Sequence, residues 1–125
     1  MKTSYDPRHL RRQHIIQEIF STEFHQQEVS ADSKEVLKHT TFIDEEIRKA
    51  APDFPVDKIN RIDLAILRLA TYELLIEKKT PPNVVIDEAV ELAKEFANDT
   101  SPAFVNGVLG HISAEADKKV NAKHE

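Results

Sequence analysis

Cysteine is absent from this sequence, which excludes disulfides and thiolate metal sites. Tryptophan is absent too, aromatic residues make up 6%, and 125 residues include two glycines. No glycine-rich phosphate loop can be built from so few, and no GxSxG nucleophile elbow occurs. No apolar run approaches the roughly 20 residues that a membrane-crossing helix needs. The first residues, MKTSYDPRHLRR, have no apolar centre and so make no signal peptide, which leads to the expectation of a cytoplasmic protein. Period-2 strand patterns, internal repeats and low-complexity blocks are missing as well.

What remains is charged and helical in character. Charged residues make up 31%, mixed in sign, with a net charge of −5. That balance argues against a nonspecific polyanion binder but leaves room for a local basic patch. The length suits one domain able to bury a core unaided. The most apolar stretch, Ile62 to Ile76 (IDLAILRLATYELLI), carries apolar residues on nearly every side when wound at the helical angle. Such a helix must be covered from several directions. It is expected to be the central helix of an all-α bundle, with Leu67, Leu69 and Leu74 inside.

Around it the chain reads as a series of amphipathic helices. Asp6-Pro7 is a cap followed by proline at the first helical position. The helix it starts runs to about Phe24 and buries Ile15, Ile16, Ile19 and Phe20. A second helix is expected from about Lys34 to Ala50, capped by Asp32-Ser33, with Val36, Ile43 and Ile47 inward. The APDFP segment, with Pro52 and Pro55, divides the chain into an N-terminal subdomain of about 6–51 and a C-terminal one of about 56–116. Asp57 or Asn60 caps the central helix. Thr80-Pro81-Pro82 ends it, and a further amphipathic helix follows from about Val84 to Ala97. The last helix, from about Pro102 to Ala114, has an apolar face of Val105, Val108, Leu109 and Ile112. Opposite lie Ala103, Gly107, Gly110 and Ala114. Each helical glycine costs about 1 kcal/mol against alanine, so the two are expected to admit a neighbouring backbone. Residues 117–125 read as a charged, frayed tail.

No catalytic set assembles from these residues. His9 and His14 do not share a helix face, no HExxH occurs, and no nucleophile, base and orienting group converge. Neither enzyme activity nor a metal or cofactor is expected. Arg8, Arg11 and Arg12 do share a face, close in sequence to Lys2. They either grip phosphates, which guanidinium forks suit, or pair with the chain's many acids, and spacing does not choose between these. Phe104 stands at the edge of its helix's apolar face. There it either stacks on a base or closes the preceding loop.

The blocks RIDLAILRLATYELL, IDEAVELAKEF and FVNGVL, in this order and spacing, resemble the NusB family of transcription antitermination factors. RRQHIIQEIF resembles that family's first helix. The resemblance implies an all-α fold of two packed helical subdomains. It implies binding of boxA-type single-stranded RNA from ribosomal RNA transcripts, together with the small-subunit ribosomal protein NusE, within the RNA polymerase antitermination complex. It implies no enzymatic activity and no cofactor. It places RNA contacts at Arg8, His9, Arg11, Arg12, Thr100 and Phe104, and a NusE contact at Asp63. Two departures stand out. The basic motif is thinned, with His9 and Leu10 at positions where basic residues are common, and Thr100 replaces a usual acid. The segment Val29–Pro55, where the family carries two helices, has room for one good helix, so a shortened N-terminal half is expected. The alternative is a helical adaptor that keeps the NusE contact without binding RNA. A similar domain is also found fused to RNA methyltransferases.

Overall fold

A computed structural model describes residues 6–124, and Lys2 lies outside them. The described residues form six α-helices: α1 Pro7–Thr22, α2 Ala31–Leu37, α3 Thr40–Ala50, α4 Arg61–Tyr72, α5 Pro82–Phe96 and α6 Ser101–His124. A 3-10 turn, Val56–Lys58, precedes α4, and a π turn, Glu73–Glu77, extends it. No strand occurs among the described residues.

Helix α4 is the hub. It packs against α1, α2, α3, α5 and α6, as its all-round apolar surface requires. Leu64, Ile66 and Leu67 are fully enclosed and Leu69 nearly so, whereas Leu74 is half-buried on the π turn. The π turn widens the helix by one residue and so rotates the last apolar residues out of the register that α4 sets. Lys78 then closes the turn in the left-handed conformation, at φ 56°. Ile15, Ile16 and Ile19 of α1 join one continuous apolar cluster with Val36, Ile43, Ile47, Val85, Leu92 and Leu109.

Side-chain caps explain three helix starts. The Asp6 carboxylate accepts the Arg8 N–H at 2.9 Å, and Asn60 Oδ1 accepts those of Ile62 and Asp63. The α2 cap is Ser30 rather than Asp32-Ser33. Glu18 of α1 fixes that cap: it accepts from the Ser30 N–H, the Ser30 hydroxyl and the Ser33 hydroxyl, at 2.9, 2.6 and 2.7 Å.

Three expectations are corrected. The segment expected to hold one helix holds two, α2 and α3, separated by a turn at Lys38 and His39. Thr40 marks the break by donating its hydroxyl to the Leu37 carbonyl at 2.6 Å. Val36, Ile43 and Ile47 are all buried, as expected, but on two helices. The last helix does not fray near Glu115, because α6 continues to His124. Gly107 and Gly110 admit no neighbouring backbone. Both are exposed, and a Cβ at either position would meet nothing within 4 Å.

Candidate nucleic-acid interface

The arginine-bearing first turns of α1 divide into an outer and an inner set. Arg8 is outermost, its side chain 82% exposed, and its guanidinium folds back onto Asp6 at 3.2–3.3 Å. Arg11 is half-exposed and reaches Asp32 of α2 at 2.9 Å. The Arg11 hydrogen bond holds the Asp32 carboxyl below its ordinary range. Surface pairs of this kind contribute little to stability and exchange readily for another anion.

His9 and Arg12 point the other way. Arg12 donates to both oxygens of Glu73, from Nε at 2.9 Å and Nη2 at 2.7 Å, and Glu88 lies 3.9 Å away. His9 is held between two carboxylates of α5, with Nδ1 at 2.9 Å from Glu88 and Nε2 at 2.5 Å from Glu95. Those hydrogen bonds, that to Glu88 foremost, raise the imidazole pKa against the opposing effect of burial. Both side chains are more than nine-tenths buried. The expectation that they are presented on the surface with Arg8 and Arg11 is therefore corrected. Their position has a simple cause. Arg12 lies in line with Ile15 and Ile19, so the helix turns it toward the core, where only a paired charge is tolerated.

Of the acids that complete this network, Glu73 alone carried a mark of its role in the sequence. Glu73 follows an almost wholly apolar helix, and a carboxylate there is a signal for a buried cation. Glu88 and Glu95, seven positions apart on α5, face α1 together. Gln13 also donates to Glu95, at 2.6 Å. Helix α1 is thus tied to the C-terminal turn of α5, just before the 97–100 loop that leads into α6.

Thr100 is exposed, and its carbonyl accepts the Phe104 N–H at 3.3 Å. Phe104 is half-buried against the core. Its outer neighbour is Phe54 of the APDFP segment, with ring centroids 5.2 Å apart and planes at 69°. Asp63 is 7% exposed, so only a narrow edge of the residue is open to a partner. Burial raises its pKa, and a hydrogen bond with Ser101 opposes the rise. Its Oδ1 has no hydrogen-bond partner among the described residues. Among those residues, no His, Asp or Glu group is arranged to hold a metal ion, and no helix is long and apolar enough to cross a membrane.

Residues 9–114 match a family profile described as the NusB family. A protein called transcription antitermination protein NusB from Chloroflexus aggregans is 43% identical over 109 residues, covering 79% of this chain and 73% of that protein. The protein of the same name from Geobacter sulfurreducens is 44% identical, covering 67% of this chain and 61% of its own length. That from Streptomyces avermitilis is 53% identical over 75 residues, covering 60% of this chain and 52% of its own length. The chain thus spans less than two thirds of the length of two of these three relatives. A solved structure of T. maritima NusB superposes with a TM-score of 0.77 at 32% identity, covering 92% of this chain and 94% of the other. Fold, family profile and relatives agree, and the chain belongs to the NusB family.

Proposed function

We propose that this chain is a transcription antitermination factor that binds boxA-type single-stranded RNA together with NusE, in the RNA polymerase antitermination complex. The observation that carries the reading is the family match, which runs from His9 to Ala114 and so includes α1 from His9 onward and the FVNGVL helix start. The geometry supports it with two exposed guanidiniums, Arg8 and Arg11, paired with Asp6 and Asp32 at the surface. Phosphates can displace such partners at small cost. Phe104 and Thr100 add an aromatic and a hydroxyl at the start of α6. His9 and Arg12 take part by holding α1 on α4 and α5 rather than by reaching out. Asp63 contributes to a NusE contact through its narrow exposed edge. This reading makes the protein a binding factor rather than an enzyme, and it acts where transcription takes place, in the cytoplasm.

The second reading, an adaptor that binds NusE and not RNA, draws on one observation. Two of the four basic residues in the α1 motif are committed to buried carboxylates. Titration of a boxA RNA oligonucleotide with the protein, with and without NusE, decides between them. Binding strengthened by NusE is expected. NusE binding with no RNA affinity in either mixture establishes the adaptor.

A further inference from the structure

Phe54 is 54% exposed on a segment that otherwise has every reason to be fixed. Ala51 anchors its start: the residue is buried, and its N–H donates to the Ile47 carbonyl at 2.9 Å. The Phe54 N–H donates to the Ala51 carbonyl at 3.0 Å, and Lys58 N–H to the Pro55 carbonyl at 2.8 Å. Arg61 then clamps the end, its Nη2 donating to the Val56 and Ile59 carbonyls at 2.8 and 2.7 Å. Pro52 and Pro55 on either side restrict the backbone further. The chain thus holds a large apolar ring in water on a rigid mount, instead of letting it fold inward.

Among the described residues, the ring's one aromatic neighbour is Phe104, which it meets edge to face, at 69°. Phe104 has its inner side on the core and Phe54 stands outside it. Two rings at such an angle make an open corner. A flat base placed face-on to one ring turns its edge toward the other, and both contacts are favourable for an aromatic quadrupole. A base binds by its π-face whatever its identity, so the corner suits an unstacked base of a single strand.

We propose that Phe54 is a second base-contacting residue, and that Phe54 and Phe104 together form an aromatic corner that takes one nucleobase of single-stranded RNA. The inference rests on the RNA-binding reading above. A structural alternative is that Phe54 only shields Phe104, and leucine would do this equally well. The test is therefore Phe54→Leu and Phe54→Trp in the full chain with NusE, titrated with a boxA RNA oligonucleotide, with melting temperatures measured alongside. Phe54→Leu is expected to weaken binding about 5- to 150-fold, the range for one lost base stack, at an unchanged melting temperature. Phe54→Trp is expected to keep or improve the affinity. If Phe54→Leu binds as tightly as wild type while Phe104→Leu binds more weakly, Phe54 is only a cover and the inference fails alone. If Phe54→Leu weakens binding only in step with a fall in melting temperature, the role is structural and the inference also fails. If the wild-type protein does not bind the RNA at all, the RNA-binding reading fails and the corner falls with it.

Discussion

Arg12 and Glu73 form a two-pronged ion pair in the interior, with donor–acceptor distances of 2.9 and 2.7 Å and side chains 8% and 3% exposed. The pair joins α1 to the first residue of the π turn, 61 residues later in the chain. A desolvated guanidinium and carboxylate offset each other only while both are present. Arg12→Ala strands Glu73 and is expected to destabilise the protein by about 3–5 kcal/mol. The double variant Arg12→Met, Glu73→Leu removes both charges and should recover most of that loss. Urea unfolding of the three proteins checks this. A loss below about 1 kcal/mol for Arg12→Ala, the worth of a surface pair, would show that the arginine is not held inside.

His9 makes stability depend on pH. Both ring nitrogens face carboxylates, Glu88 and Glu95, and both can donate only when the ring is protonated. The folded-state pKa is raised, chiefly by the Glu88 hydrogen bond. The contribution is therefore fully present below the unfolded value of about 6.5, and it is lost as pH rises through the raised folded value. Wild type should lose stability as pH rises above about 6.5 relative to His9→Gln, which has no such titration. Thermal melts of the two proteins across this range measure the difference. A difference that stays constant with pH would mean that His9 is bound in its neutral form.

Core and surface leucines of the same helical run should separate cleanly. Leu69 is 3% exposed on α4, whereas Leu74 is half-buried on the π turn. Leu69→Ala is expected to cost about 2–5 kcal/mol, and Leu74→Ala clearly less, because part of its surface already meets water. Equal losses would mean that the π turn packs as tightly as the helix before it.

The glycines of α6 should be dispensable. With nothing within 4 Å of a Cβ at Gly107 or Gly110, the helix carries their conformational cost without a packing return. Gly107→Ala and Gly110→Ala should each stabilise by about 1 kcal/mol, the propensity difference, and the two should raise the melting temperature together. A lower melting temperature for either variant would restore the close-approach reading.

The helices themselves were legible because their signals are local. Asp6-Pro7 and Asn60 act as the caps that their residue types announce, and Ile15, Ile16 and Ile19 are buried as their spacing demands. The turn between α2 and α3 was not legible. It contains neither glycine nor proline, and Val36, Ile43 and Ile47 keep one period across it. The glycines misled for a related reason: helix cost is visible in a sequence, but the presence of a neighbour is not. The arginines show the same limit at the site. Spacing put Arg8, Arg11 and Arg12 on one face, but whether that face meets acids or solvent depends on Glu73 and Asp32, far along the chain.

That division of the arginines gives the RNA reading its sharpest test. Arg8 and Arg11 hold surface carboxylates that a phosphate can replace, whereas Arg12 holds one that it cannot reach. For a single strand, each phosphate neutralised contributes about 0.7 to the slope of log affinity against log salt. Arg8→Gln and Arg11→Gln should each reduce that slope by about this amount, with melting temperatures nearly unchanged because exposed pairs contribute little. Arg12→Met should do the reverse, lowering the melting temperature and leaving the slope of the remaining folded protein intact. Asp32→Asn adds a check from the acid's side. It frees Arg11 from its partner and should strengthen RNA binding. The measurement is a salt titration of boxA RNA binding with NusE present. If Arg8→Gln and Arg11→Gln leave the slope unchanged, the outer face of α1 does not meet phosphates. The adaptor reading would then be the better account of a chain whose inner basic residues are already paired with its own acids.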